Sequence, residues 1–282
     1  MTDMKVSIIC PCKDRDEPLQ TAIHSWIAHE EVSEIIITDW SSKKSLDYLT
    51  KISDKIKIIT VKGEEYFNMQ QPLNLALSVA TGDYILKMDT DYILNTYPEF
   101  NFFNAVNLED DSYFCGDYIT EDVNDRSVAD SHYVKYLRGV LYVKREHLLK
   151  IGGYNDNFGD YYGNDDGEVN QRLSLLGLKR RTFDSQCPYF TMIHMPHKNK
   201  RRYENFKAFN VDKTEENLIR SQLSNNWSGD PLEWQLEYIL ANRHIHINQT
   251  QQNPQSYYVE PKTKWKTTKI SDQMFFAEKI GG

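Results

Sequence analysis

Asp83-Tyr84-Ile85-Leu86-Lys87-Met88 reads as a buried strand, and it runs directly into Asp89-Thr90-Asp91. Working back from it, Pro72 to Ala80 fits a helix with proline near its first turn, where the missing N–H costs little. Ile56 to Val61 fits another strand and Ser45 to Ser53 another helix. Ile35-Ile36-Ile37-Thr38, ending at Asp39, is a further buried strand. Before it, Leu19, Ile23, Trp26 and Ile27 fall at helical spacing, and Lys5 to Cys10 is a β-branched run closed by Pro11. Four strands separated by three helices predict an α/β fold, a mostly parallel central sheet flanked by helices. Ligands of such sheets lie beyond the carboxyl ends of the strands. That directs attention to Pro11 to Arg15, to Asp39 to Ser42 and to the residues after Met88.

Working forward, Tyr113 to Ile119 and Gly139 to Val143 read as strands, and Glu168 to Leu176 as a helix stopped by Gly177. Past His197 the texture changes: a basic cluster from Lys198 to Arg202 precedes two expected helices, near Tyr203 to Leu223 and Pro231 to Arg243, and a polar last stretch. The expected organisation is a catalytic domain over residues 1–200 and a helical, polar extension over 201–282.

The chain has 282 residues, enough for a substantial core. Its 33 Lys and Arg against 41 Asp and Glu leave a net charge of −8, which argues against nucleic acid as a partner. No run approaches the roughly 20 apolar residues of a membrane helix, and the first residues lack the apolar core of a signal peptide. Four cysteines at irregular spacing make no disulfide framework. The expectation is a cytoplasmic protein.

Three clusters carry chemistry. Asp89-Thr90-Asp91 places two carboxylates at a strand end, where they can share Mn²⁺ or Mg²⁺ and bridge it to a diphosphate; a solvated turn is the plainer alternative. Gly152 to Phe158 and Tyr162 to Glu168 join glycines and aromatics to three acids, Asp165, Asp166 and Glu168, at a helix start. Capping can occupy one of these, and another is then available as a general base. In Met192 to His197, imidazole suits Mn²⁺, while a satisfied core histidine is the commoner role.

In this order the segments resemble nucleotide-sugar glycosyltransferases of the GT-A fold. The first hundred residues resemble the broad family 2 catalytic domain, and the second cluster resembles the β-1,4-galactosyltransferase family and related bacterial hexosaminyl and galactosyl polymerases. Pro11-Cys12-Lys13-Asp14-Arg15 is similar to that family's Pro-Phe-Arg-Asn-Arg. Phe67-Asn68 with Leu73-Asn74 is similar to its Phe-Asn-Arg-x-x-x-Leu-Asn, and Asp89-Thr90-Asp91 to its Asp-x-Asp. Gly153 to Phe158 and Tyr162 to Glu168 are similar to Gly-Phe-x-Asn-x-Phe/Tyr and Trp-Gly-Gly-Glu-Asp-Asp-Asp. Lys13 and Met69 stand where the family has Arg, and Tyr162 where it has Trp.

The resemblance implies a metal-dependent inverting transfer of a hexose or N-acetylhexosamine from a UDP-sugar to a glycan hydroxyl. Donor contacts are implied for Pro11, Lys13, Arg15, Asp39 and Ser41, and for Asn74, Lys87, Asp89 and Tyr162. Mn²⁺ (or Mg²⁺) is implied on Asp89, Asp91 and His194, with His197 as the alternative histidine. Asp166 is the implied base, with Asp165 binding sugar hydroxyls, and Lys198 to Arg202 a lid or a solvated surface cluster. The implied setting is bacterial surface polysaccharide synthesis, with an oligosaccharide or lipid-linked acceptor and peripheral contact with the inner membrane face. Three rivals stay open: a nucleotidyltransferase, which lacks its usual glycine-rich loop here, a non-catalytic sugar-binding protein, and a retaining transferase.

Overall fold

The computed structural model describes residues 4–116, 139–158, 165–182, 191–195 and 256–281. A nine-stranded sheet organises them. Its strands are β1 (Val6–Cys12), β2 (Val32–Trp40), β3 (Ile56–Val61), β4 (Tyr84–Lys87), β6 (Ser112–Cys115), β7 (Leu141–Lys144), β8 (Lys179–Arg181), β10 (Lys264–Lys269) and β11 (Met274–Gly281). The order across the sheet is β10-β11-β3-β2-β1-β4-β7-β6-β8. β11, β3, β2, β1 and β4 run parallel in succession, and β7 and β10 are antiparallel to the strands beside them. The helices are α1 (Asp16–Ile27), α2 (Gln70–Val79), α3 (Phe102–Ala105), α4 (Arg145–Lys150) and α5 (Asp165–Leu175). A small second sheet pairs β5 (Tyr92–Leu94) with β9 (Met192–His194).

The unbroken isoleucine run of β2 follows from its place in the sheet. Parallel strands covered on both faces must be apolar on both faces. Ile35 and Ile37 pack into one core cluster with Leu19, Ile23 and Trp26 of α1, while Ile36 packs on the other side with Leu73 and Ala76 of α2. Each such isoleucine contributes roughly 1.5–3 kcal/mol of burial.

Chain direction sets where a ligand can lie. β1 leads by way of α1 to β2 on one side, whereas its neighbour on the other side is β4. This is a topological switch point, and its crevice opens at the carboxyl ends of β1 and β4. Arg15 and Asp89 emerge there.

Three elements differ from the sequence reading. The helix expected over Ser45 to Ser53 is a single 3-10 turn, Asp47–Lys51, because Asp39 Oδ2 accepts from Leu46 N and shortens the link. α5 starts three residues earlier than expected, so Asp165 and Asp166 lie in its first turn. The largest difference is at the carboxyl end. Residues 264–281, read as part of a helical extension, form β10 and β11, and β11 pairs with β3. Lysines and threonines mask β10 because it is an edge strand, where charge is the usual protection. The main sheet therefore crosses the boundary expected near residue 200. The two helices expected after it, and the Lys198 to Arg202 cluster, lie outside the described residues.

Candidate active site

β4 delivers Lys87 and then Asp89 to the crevice. Lys87 is fully buried, and its Nζ lies 3.0 Å from Asp89 Oδ1 and 3.5 Å from Asp166 Oδ1, at the start of α5. A methyl group on Gly139 would stand 2.9 Å from Lys87 Nζ, 3.0 Å from Asp89 Oδ2 and 3.3 Å from Asp166 Oδ2. All three charged groups thus converge on one point. Burial acts to lower the Lys87 pKa, but Asp166, Asp89 and Asp165 outweigh it and hold the ammonium well above its ordinary range. Burial raises the Asp89 carboxyl; Lys87 opposes that shift, and Asp91 and Asp166 add to it.

Asp165 is buried, and its Oδ2 has no hydrogen-bond partner among the described residues. Burial, followed by the charge of Asp166, pushes its carboxyl up to about 8, with Lys87 opposing. Burial and the charge of Asp166 thus favour the protonated form of Asp165. Asp166 is the more open of the two, its side chain 36% exposed, so a hydroxyl can reach it.

Strand pairing brings the next acid to its histidine. In the β5–β9 ribbon Tyr92 sits opposite His194, and Met195 N donates to Asp91 O at 2.7 Å. His194 Nε2 then lies 3.3 Å from Asp91 Oδ2. α1 secures the ribbon: Trp26 Nε1 donates to Tyr92 O, and Leu94 N donates to Ser25 Oγ. Arg15 NH2 donates to the same Asp91 Oδ2 at 2.6 Å.

The expected metal set of Asp89, Asp91 and His194 is therefore only partly assembled. No three His, Cys, Asp or Glu side chains form a ligand cluster among the described residues, because Asp89 turns to Lys87. Asp91 and His194 do fit a hard cation. Neighbouring ligands of an octahedral ion lie about 3 Å apart, and carboxylate with imidazole suits Mn²⁺. His197 and Tyr162 lie outside the described residues.

The other residues assigned to the donor hold the rim of the crevice. Lys13 Nζ donates to Trp40 O, Ser41 O and Glu64 O, so its charge ties these loops together at the rim. Asn74 clamps Tyr154 by both backbone groups, donating to Tyr154 O at 2.7 Å and accepting from Tyr154 N at 2.8 Å. Those two bonds hold its amide against the Gly153–Tyr154 turn. Asp39 accepts from Ser42 N and Leu46 N, and Ser41 Oγ donates to Val61 O and accepts from Glu64 N. Asp14 and Ser41 have φ of 54° and 57°, left-handed conformations of a kind that gather at ligand sites. Pro11 lies buried in β1, at the floor of this rim.

Glu168, counted among the acids, is spent on structure. It accepts two hydrogen bonds from the fully buried Arg172, whose guanidinium also donates to Ile151 O and Gly153 O. α5 is thereby bolted to the Gly152-Gly153 turn. Asp156 accepts from Lys262 N and Thr263 N, holding the chain before β10. Gly139 and Arg172 escaped the sequence reading. A glycine opening a strand was the only visible signal for the first, and Glu168 four residues before Arg172 was the signal for the second.

Residues 7–153, just over half of the chain, match Glycosyl transferase family 2. The chain belongs to that family. Residues 123–198 of this family 2 chain also match the family described as the N-terminal domain of galactosyltransferase. β-1,4-Galactosyltransferase 4 of Cricetulus griseus is 26% identical over 235 residues, 81% of this chain; the chain spans 57% of that relative's length. Among solved structures, the mannosyltransferase PcManGT of Pyrobaculum calidifontis, in complex with GDP-Man and Mn²⁺, is similar at a TM-score of 0.52 and 15% identity, over 89% of this chain and 72% of that one. The catalytic domain of Drosophila β1,4-galactosyltransferase 7, in complex with xylobiose, is similar at 0.52 and 15%, over 99% of this chain and 94% of that one. The family 2 chain has the GT-A fold. No helix among its described residues is long and apolar enough to cross a membrane.

Proposed function

We propose that this chain is a metal-dependent inverting glycosyltransferase that moves a hexose or N-acetylhexosamine from a UDP-sugar to a glycan hydroxyl. One observation carries the reading: Asp89, in the loop after β4, and Asp166, at the start of α5, both reach the space in front of Gly139, and Asp89 stands two residues along the chain from the Asp91 that pairs with His194. An enzyme of this class needs its charge-neutralising and proton-accepting groups that close together. The solved Drosophila enzyme is also described with manganese, UDP-Gal and xylobiose, which supports the choice of metal, donor and acceptor class.

Mn²⁺ held by Asp91 and His194 would supply positive charge to the diphosphate as it leaves. Arg15, at the same end of β1, faces that diphosphate. Pro11 and the Asp39–Ser41 rim flank the nucleoside. Asp166 takes the proton from the acceptor hydroxyl as its oxygen attacks the anomeric carbon from the face opposite the leaving group. One displacement inverts the centre, so an α-linked donor gives a β-glycoside. Protonated Asp165 donates to a sugar hydroxyl. The acceptor we favour is an oligosaccharide or lipid-linked glycan of a bacterial surface polysaccharide, met at the inner membrane face.

The test is a panel of UDP- and GDP-sugars incubated with Mn²⁺, with and without oligosaccharide acceptors. Release of UDP that requires Mn²⁺, and a β-linked product, are expected. Absence of turnover on every donor would leave a sugar-binding protein, and an α-linked product would make the enzyme retaining.

A further inference from the structure

Lys87 ends a central strand with an ammonium group that no solvent reaches. Burying a charge is costly unless it is paired, and here the pairing is double: Asp89 Oδ1 at 3.0 Å and Asp166 Oδ1 at 3.5 Å. The two acids come from separate elements, the loop after β4 and the start of α5. We propose that Lys87 is a positioning residue, whose ammonium ties the acid on the metal side of the crevice to the acid on the acceptor side and keeps them in register. This deepens the function proposed above and rests on it.

Two observations support a tether over a donor contact. The Lys87 ammonium is buried and already engaged by the Asp89 and Asp166 carboxylates, which leaves it poorly placed to meet a diphosphate from solvent. Gly139 marks the same point from the other side: its φ is 90°, and any side chain there would enter the space between the three groups. The cluster is thus fitted around the missing Cβ. Without Lys87, Asp89 and Asp166 face one another with no cation between them, and repulsion spreads the crevice. The ammonium also opposes the approach of Mn²⁺ to Asp89, which leaves Asp91 and His194 as the cation's protein ligands.

The experiment compares the wild-type chain with Lys87→Met, Lys87→Gln and Gly139→Ala. Mn²⁺ affinity is read from the free-ion electron paramagnetic resonance signal, UDP affinity by calorimetry, folding by circular dichroism, and kcat and donor KM by UDP release. A kcat lower by about 100-fold is expected in each variant, with Kd for Mn²⁺ and for UDP, and donor KM, raised by no more than about threefold. A folded Lys87 variant with wild-type kcat overturns the inference. So does parallel loss of kcat and UDP affinity, which would make Lys87 a donor-binding residue. If neither Lys87 variant folds, Gly139→Ala, which keeps the ammonium while parting the three groups and straining a backbone held at a φ of 90°, must show the same split with a folded circular-dichroism spectrum; wild-type kcat there overturns it. Wild-type protein that neither binds Mn²⁺ and UDP nor turns over any donor defeats the proposed function as well, whereas an active wild type with indifferent variants defeats the tether alone.

Discussion

Arg15 and His194 meet on a single oxygen, Asp91 Oδ2, at 2.6 Å and 3.3 Å respectively. If Asp91 holds the metal as proposed, the Arg15 guanidinium on that oxygen competes with it, and the competition would end once the guanidinium finds a diphosphate. Arg15→Ala is therefore expected to bind Mn²⁺ alone no more weakly than wild type, while UDP in the presence of Mn²⁺ loses about 10-fold to 100-fold in affinity, the worth of one or two charge-assisted hydrogen bonds. Calorimetric titration of each ligand checks this. Equal losses for both would mean that Arg15 shapes the site and does not exchange partners.

Asp166→Asn removes the proposed proton acceptor but keeps the shape of the helix start. Transfer should fall by about 10²–10⁴-fold, with UDP binding retained. Rates with a fixed acceptor, measured beside UDP calorimetry, decide it; near-normal turnover would move the base elsewhere.

Asp165 makes stability depend on pH in a definite direction. Its carboxyl titrates near 3.8 when unfolded and is pushed up to about 8 in the fold, by burial first and by Asp166 second, against the opposing charge of Lys87 and with Asp89 adding. Between those values the folded chain holds a proton that the unfolded chain has released, so stability is greatest at the acid end and falls as pH rises from about 4 to about 8. The Asp165 contribution to the slope is at most about 1.4 kcal/mol per pH unit. Denaturant melts of wild type and Asp165→Asn across this range should differ in slope and converge at low pH. Identical slopes would place the Asp165 titration at its unfolded value.

Gly152 and Asp156 hold the strap that precedes β10. A Cβ on Gly152 would sit 1.8 Å from Val259 O, and both Asp156 oxygens accept backbone N–H groups, at 2.6 Å and 2.7 Å. Gly152→Ala or Asp156→Ala should free residues 256–263 and cost about 1–3 kcal/mol. Limited proteolysis should then cut within this stretch before anywhere else in the described chain. Unchanged cleavage would show that the Trp40–Trp265 ring contact and β11 hold it alone.

Much of this architecture could be read from periodicity, because parallel strands buried on both faces have almost no freedom to be polar. Lys5 to Cys10, Ile35 to Thr38 and Asp83 to Met88 stood out for that reason, as β1, β2 and β4. β10 did not, since an edge strand with exposed lysines has no core face to display. The acids at strand and helix ends were visible as chemistry, but their partners were not. Nothing local in Asn74 says that its amide will be consumed by Tyr154, eighty residues on. The resemblance implied a donor contact for Lys13, and nothing local shows that the loops at Trp40 and Glu64 would also take its hydrogen bonds. The contact between Asp91 and His194 depends on a two-strand ribbon too short for its pattern to register.

The parallel pairing of β11 with β3 bears on biosynthesis. Gln273 Nε2 donates to Ile56 O across 217 residues, and Phe275 lies opposite Ile59. On the ribosome, β1 to β4 emerge and can pair while β3 still presents a bare flank. That flank waits through about 10–40 seconds of further elongation at ordinary rates. Nascent chains therefore carry an uncovered strand through that interval, and a chaperone or a neighbouring nascent chain has that long to find it.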